Sequence, residues 1–180
     1  MTAQLLLMIA LLIGLVIKIP LFPFHTWLPD AHTEASTPVS VLLAGVLLKL
    51  GTYGLLRFCL GLFPEAWQVA APWLAAWAAI SVLYGSLAAI AQTDMKRMVA
   101  YSSVGHMGYV LLAAAAATPL GLMGALFQMV SHGLISGVLF LLVGVVYART
   151  GTRDLNVLRG LLNPQPVSYT HLTLPTSYPV

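Results

Sequence analysis

The sequence predicts an all-α, polytopic membrane protein with about five transmembrane helices. Of its 180 residues, 59% are hydrophobic and only 7% are charged. Its mean hydropathy is +0.92, whereas soluble domains carry roughly 25% charged residues. The apolar runs are continuous and rich in Leu, Ala, Gly and Val, whereas the strands of a membrane barrel alternate apolar and polar residues. These features exclude a soluble domain and a disordered chain, and they favour membrane helices.

Five apolar stretches are long enough to cross a hydrocarbon layer of about 30 Å, which takes roughly 20 helical residues. They cover 3–24, 38–60, 68–91, 98–117 and 120–147. The short connections between them make consecutive helices antiparallel neighbours, so that 1–163 forms one transmembrane region. From Pro164 the composition becomes polar and rich in proline. We expect 164–180 to be an unstructured tail of non-native read-through, in which His171 has no role.

The first stretch is a membrane helix rather than a signal peptide, because it lacks a basic start and a small-residue cleavage site. Pro20 and Pro23 remove backbone donors and predict a break just after Lys18, which frees carbonyl groups close to that lysine. Broken helices at membrane depth occur mainly where they line a cavity or an ion site. The alternative is that the prolines end the span and Lys18 reaches the headgroups.

Charged residues are distributed unevenly between the two sides of the predicted helix bundle. Counting the crossings puts the following residues on one side: Asp30, Lys96, Arg97, Arg149, Arg153 and Arg159. The positive-inside rule assigns this side to the cytoplasm. The basic residues are scattered singly, and this excludes a nucleic-acid partner.

Lys49 lies near the middle of the second stretch, where a charge costs at least a few kcal/mol and therefore indicates a transport path. Gly45, Thr52 and Tyr53 share its helical face, and this small, polar face can admit water. A lysine whose protonation responds to a neighbouring charge suits a proton relay. The alternative is a structural lysine that is permanently paired with a carboxylate of another helix.

His106 and His132 lie within the last two stretches, each in a polar stripe. Their helical neighbours are Ser102, Ser103 and Tyr109 around His106, and Gln128 and Ser136 around His132. An imidazole can pass a proton between its two nitrogens and can therefore link two lysines in a relay. The alternative is a neutral histidine that only bonds two helices together. We interpret the spaced pair Gly133 and Gly137 as a packing motif.

The sequence offers no catalytic residue and no metal site. His25, Asp30 and His32 lie in a segment interrupted by proline and lack a recognised ligand spacing. Cys59 is the only cysteine, which excludes an internal disulfide, a cysteine-ligated iron–sulfur cluster and a CxxCH haem site. Any redox cofactor is therefore expected in another chain.

Three strings carry a family resemblance. They are KIPLFPFHTWLPDAHTEASTPVSVLLAGVLLKLGTYGLLRF (18–58), AQTDMKRMVAYSSVGHMGYVLL (91–112) and FQMVSHGLISGVLFLLVGVVYARTGTRDL (127–155). Together they resemble the antiporter-like subunits of proton-pumping NADH:quinone oxidoreductase, respiratory complex I. The most similar type is the M-type chain, which is the subunit 4 family.

The resemblance implies two inverted repeats of five helices, each with a broken helix, and a central axis of protonatable residues. By motif, Lys18 matches the lysine of the broken helix and Lys49 that of the next helix, while His106 and His132 match the central histidines. It further implies other membrane subunits of complex I as partners, with NADH, FMN, iron–sulfur clusters and quinone bound in partner subunits and no cofactor in this chain. The expected location is a bacterial inner (plasma) membrane or an energy-transducing organelle membrane.

Family chains extend beyond this one at both ends, so we expect a fragment that lacks the glutamate partner of Lys18 and the distal lysine of the second repeat. Two alternatives remain open. One is a subunit of a multisubunit Na⁺/H⁺ antiporter or of a membrane-bound hydrogenase, whose chains share the pattern around Lys18. The other is a non-conducting scaffold whose lysines only form buried ion pairs.

Overall fold

The computed structural model describes residues 2–158, which are almost entirely helical. The helices are α1 (Thr2–Lys18), α2 (Trp27–Glu34), α3 (Thr37–Leu60), α4 (Pro64–Ile90), α5 (Met95–Ala115) and α6 (Pro119–Thr150). Within α3, the stretches Leu43–Leu47 and Leu55–Leu60 are π-helical. The predicted all-α membrane fold is confirmed. The predicted tail, 164–180, lies outside the described residues.

Four helices, α3 to α6, are long and apolar enough to cross a membrane, and α1 is a shorter apolar helix. The expected five spanning stretches are therefore four full-length helices and one shorter one. Helix α4 begins at Pro64 rather than at residue 68, and α6 continues to Thr150 rather than ending at 147.

The first helix ends at Lys18, and not at residue 24 as the apolar run predicts. Its last backbone bond joins the Ile19 N–H to the Leu15 carbonyl, at 2.9 Å. Pro20 follows directly, and a proline neither donates a backbone bond nor fits inside a helix. The predicted break at Pro20 and Pro23 is therefore confirmed.

Helix α2 lies in the connection between the first two predicted spans, 3–24 and 38–60, for which the sequence analysis predicts no helix. Pro29 lies in its first turn, where the N–H groups have no partner within the helix and a proline is tolerated. The prolines in this region indicate a break in the chain, and for this reason the sequence does not predict the short helix that follows.

Side chains from two helices hold the broken segment between α1 and α2. The indole of Trp27 donates to the Ile17 carbonyl at 2.9 Å, which satisfies one of the groups freed at the end of α1. The Trp77 indole donates to the Phe22 carbonyl, and the Phe22 N–H donates to the Ser81 hydroxyl at 3.2 Å. The break is therefore a fixed feature that α4 supports.

Charged residues gather at one end of the bundle. Asp94 caps α5 by accepting from the backbone N–H groups of Lys96 at 2.7 Å and Arg97 at 3.0 Å. Arg97 also forms an ion pair with Asp30 at 2.9 Å, and Arg153 approaches Asp94 at 3.6 Å. The loops that the sequence places on one side of the membrane thus meet there.

Helices α4 and α5 pack with their backbones in close contact. A Cβ atom added at Gly85 would lie 2.5 Å from the Gly105 nitrogen, so only glycine fits at this crossing. Near the start of α4, the buried Trp67 donates its indole N–H to the Ala114 carbonyl at 3.2 Å. This tight pair fixes α5, which carries part of the polar site described next.

Candidate functional site

Lys49 and His132 form the centre of the site. Lys49 Nζ lies 2.7 Å from Nδ1 of His132, which joins the middle of α3 to the middle of α6. The ammonium group also donates to the carbonyl of Ala44. Ala44 belongs to the π-helical stretch Leu43–Leu47, and π-helical turns are frequent at functional sites. The lysine is thus held between its own helix and a histidine of another.

Two glycines allow α3 and α6 to approach at this point. A Cβ atom at Gly133 would lie 3.2 Å from the Gly45 carbonyl oxygen and 3.5 Å from Lys49 Cε. Any larger residue would push the two helices apart at the level of the lysine. The expected packing role of Gly133 therefore also brings Lys49 to His132.

The imidazole of His132 is buried between three helices. Its Nε2 lies 3.1 Å from the hydroxyl of Ser103 on α5. Its carbonyl accepts from Ser136 at 2.5 Å within α6. Both ring nitrogens thus have partners, one on α3 and one on α5.

His106 lies next to His132, with 5.3 Å between the ring centroids. Its Nδ1 lies 2.9 Å from Nε2 of Gln128 on α6, and the residue is exposed on the outer surface of the helix bundle. The predicted polar neighbours are exchanged: Ser103 contacts His132 and Gln128 contacts His106. The partners of the two rings thus include residues of the facing helix, Ser103 of α5 for His132 and Gln128 of α6 for His106.

A cavity of about 180 Å³ adjoins the two histidines. Its polar lining consists of Ser102, His106, Gln128, Ser131, His132 and Ser136. The rest of the lining is apolar and includes Ile90, Met98 and Leu139, so the hydroxyl, amide and imidazole groups are the part that can bind water. The site can therefore connect His106 and His132 through water.

Lys18 does not join this cluster. It lies at the carboxyl end of α1 beside a second cavity of about 410 Å³, which Trp27 and Leu48 also line. A Cβ atom added at Gly51 would lie 3.3 Å from the Cβ atom of Lys18, so the end of α1 packs against α3 close to Lys49. Within residues 2–158, no hydrogen bond joins Lys18 to Lys49, His106 or His132.

His25 and His32 are buried, although the sequence gives them no role. His25 packs edge to face on Tyr84 at 4.8 Å, and His32 stacks on Phe140 at 4.3 Å. Within the described part of the chain, none of their four ring nitrogens has a hydrogen-bond partner. Burial lowers the pKa of His25, and burial with the nearby charge of Lys96 lowers the pKa of His32 to about 4. Both are therefore neutral at pH 7.

The burial of these two histidines has no signal in the sequence, because they stand in a polar, proline-rich segment. Across residues 2–158, the structure brings no three His, Cys, Asp or Glu side chains together in a way that could hold a metal ion.

Residues 1–177 match the protein family described as "NADH:quinone oxidoreductase/Mrp antiporter, TM". The chain is 53% identical over 170 residues to NAD(P)H-quinone oxidoreductase chain 4 1 of Synechococcus sp. (strain JA-3-3Ab), with 94% of this chain and 32% of that protein covered. It is 50% identical over 165 residues to NADH-quinone oxidoreductase subunit M of Rickettsia prowazekii, with 92% and 34% covered. The chain thus spans about a third of the length of these relatives.

Solved structures are similar as well. A chain of respiratory complex I from Thermus thermophilus with bound NADH aligns with a TM-score of 0.84 and 37% identity, covering 93% of this chain and 36% of that one. A chain of the membrane-bound sulfane sulfur reductase, an archaeal respiratory membrane complex, gives 0.83 and 32%, covering 90% and 34%. A chain of the Mrp complex from Dietzia sp. DQ12-45-1b gives 0.82 and 27%, covering 87% and 29%.

These similarities confirm the resemblance to the antiporter-like subunits of complex I, and they agree with an integral membrane location. The chain belongs to the NADH:quinone oxidoreductase/Mrp antiporter transmembrane family.

Proposed function

We propose that this chain is part of a proton-translocating membrane subunit of an NADH:quinone oxidoreductase. The observation that carries the proposal is the 2.7 Å contact between Lys49 Nζ and His132 Nδ1, inside two membrane-spanning helices. An ammonium group beside an imidazole nitrogen is a donor and an acceptor at proton-transfer distance. A proton can therefore pass from Lys49 to His132 without a large movement of either helix.

His106 is the proposed next member of the path. The centroids of the His106 and His132 rings are 5.3 Å apart, and no direct hydrogen bond joins the two rings. The proton would therefore pass between them through water in the adjoining cavity. Gln128 bonds to His106 Nδ1 and so orients the ring. The path thus runs from α3 through α6 to α5.

Lys18 is the proposed member on the other side of Lys49. It stands where α1 breaks, beside a cavity that Leu47 and Leu48 of α3 also line, and these two residues directly precede Lys49. A change in the charge of Lys18 would then alter the free energy of the protonated form of Lys49.

The energy for transport is proposed to come from quinone reduction in other subunits of complex I. Close relatives are subunits of NAD(P)H-quinone oxidoreductases. NADH, FMN, iron–sulfur clusters and quinone would be bound by those partners, and this chain would perform no redox catalysis. Its own contribution would be the lysines and histidines that respond to charge.

The test is NADH-driven acidification of inverted vesicles that carry the complete subunit within its assembled complex. We expect Lys49→Ala to reduce acidification per assembled complex by about tenfold or more, because it removes a group that carries the proton. Arg149→Ala is the control, since it removes an exposed cation at the end of α6, outside the cluster. Unchanged acidification in Lys49→Ala would exclude the proton path and favour the scaffold alternative, in which assembly is impaired first.

A subunit of a Na⁺/H⁺ antiporter or of a membrane-bound hydrogenase is the second candidate. The similarity to chains of the Mrp complex and of the archaeal sulfane sulfur reductase favours it, since their TM-scores of 0.82 and 0.83 nearly equal the value for complex I. The same vesicles separate the candidates. If the unmutated complex gives no NADH-driven signal but exchanges Na⁺ for H⁺ across an imposed gradient, the antiporter is the correct assignment.

A further inference from the structure

We propose that Ser103 is a positioning residue for proton transfer, which holds His132 in the tautomer whose Nδ1 lone pair faces Lys49. The inference rests on the proposed function and concerns a residue outside the predicted proton path. Ser103 is fully buried on α5, and its hydroxyl meets the ring nitrogen that Lys49 does not contact.

The proton positions follow from which groups can donate. A lysine ammonium has three N–H donors and no acceptor, so the nitrogen 2.7 Å from it must present a lone pair. That nitrogen is His132 Nδ1, and the proton of the neutral ring is therefore on Nε2. The Nε2–H group then needs an acceptor, and Ser103 Oγ lies 3.1 Å away.

Ser103 can accept because its own proton has another partner. Its Oγ lies 3.2 Å from the carbonyl oxygen of Val99, and a carbonyl can only accept. With the hydroxyl proton on that bond, an oxygen lone pair is left for Nε2–H. In the opposite tautomer an N–H group would point at the ammonium of Lys49, and two donors would face each other.

With the protons in these positions, one proton can move from Lys49 to His132. One N–H bond of Lys49 breaks and leaves its electron pair on Nζ, a new N–H bond forms at His132 Nδ1, and the positive charge moves to the imidazolium. Nothing is oxidised or reduced. During this step Nε2–H keeps donating to Ser103, so the hydroxyl oxygen also stabilises the charged ring until the proton leaves for the next member of the path.

Two other polar side chains lie against the His132 ring. Lys49 contacts Nδ1 from α3, and the His106 ring lies 5.3 Å away on α5. Ser103 is the residue whose oxygen lies within hydrogen-bond distance of Nε2. We therefore assign to Ser103 both the orientation of the ring and the stabilisation of its protonated form.

The chain provides a control on the neighbouring helix. Ser86 on α4 donates to the Val82 carbonyl at 2.8 Å, and it does not belong to the lining of the cavity. Ser86→Ala and Ser103→Ala therefore each remove one hydroxyl from a membrane helix, and only the second removes the acceptor of His132.

The experiment measures protons pumped per NADH oxidised by the assembled complex in inverted vesicles. We expect Ser103→Ala to lower this ratio by about tenfold, the factor associated with loss of one buried hydrogen bond, and Ser86→Ala to leave it nearly unchanged. Ser103→Thr and Ser103→Val form a second pair with the same shape, of which only Thr keeps the hydroxyl. The Thr variant should retain pumping and the Val variant should lose it.

Equal ratios in the Thr and Val variants, or in the two Ala variants, would overturn the role of Ser103. Lys49→Ala in the same preparation tests the proposed function separately. If Lys49→Ala abolishes pumping and Ser103→Ala does not, only the inference on Ser103 fails. If Lys49→Ala pumps normally, the transport path itself fails.

Discussion

His32 combines full burial with the charge of a nearby lysine. Its pKa is lowered to about 4, first by burial and then by Lys96, from an ordinary value of 6.5. Above pH 6.5 the residue is neutral in both the folded and the unfolded chain. As the pH falls from 6.5 toward 4, the unfolded chain binds a proton that the folded chain does not, so the free energy of unfolding decreases in this window.

We therefore predict that His32→Phe makes the fold less sensitive to acid. Phenylalanine can keep the stacking on Phe140 and has no proton to bind. The loss of stability between pH 7 and pH 4.5 should be smaller in the variant by up to about 3 kcal/mol. Thermal unfolding of the detergent-solubilised complex at the two pH values measures it. An equal decrease in Tm in both proteins would show that His32 does not contribute.

The crossing of α3 and α6 depends on glycine at one position more than at another. A Cβ atom at Gly133 would lie 3.2 Å from the Gly45 carbonyl oxygen, which is backbone and cannot turn away. A Cβ atom at Gly137, one turn further along α6, would meet only the Val41 side chain, at an ordinary 3.6 Å. The two glycines of one sequence motif thus have different surroundings.

We predict that Gly133→Ala reduces proton transport several-fold, whereas Gly137→Ala has little effect. In the first variant α6 must shift by a few tenths of an ångström, which lengthens the contact between Lys49 and His132. Acidification per assembled complex in inverted vesicles compares the two variants. Equal transport in both would mean that the spacing of α3 and α6 at this level does not limit the proton transfer.

The sequence predicted the elements that depend on long apolar runs and on proline. Helices α3 to α6 and the break after Lys18 follow from hydrophobicity and from the missing backbone donors of Pro20 and Pro23. The existence of α2 could not be predicted, because its segment is polar and contains Pro29, which is usually a sign of a loop.

The sequence predicts which residues belong to the site, but not which of them contact one another. Lys49, His106 and His132 stand out because ionisable groups are costly within a membrane. Periodicity then identifies which residues share a helical face, but not which helix that face meets. For this reason Ser103 was grouped with His106, whereas its hydroxyl contacts His132 from another helix.

At the scale of the whole molecule, the outer surface separates into an apolar belt and an end where most of the charged side chains gather. Large apolar side chains such as Trp73, Leu120 and Phe127 are exposed along the helices, as expected for a chain that lies in lipid or among further helices. The ion pair of Arg97 with Asp30 marks the charged end. A charged end of this kind fixes the orientation of the bundle in the membrane.

We predict that this charged end faces the cytoplasm. The test places one cysteine at either end, in a background where the buried Cys59 is replaced by alanine. Asn156→Cys is exposed at the charged end, and Glu65→Cys is exposed at the start of α4, at the opposite end. A membrane-impermeant maleimide should label Asn156→Cys only in inverted vesicles and Glu65→Cys only in right-side-out vesicles. The reverse pattern would contradict the positive-inside assignment. Helix α3 leads away from the charged end and α4 returns to it, so the two cysteines should lie on opposite sides of the membrane. Labelling of both from one side would contradict this order of crossings.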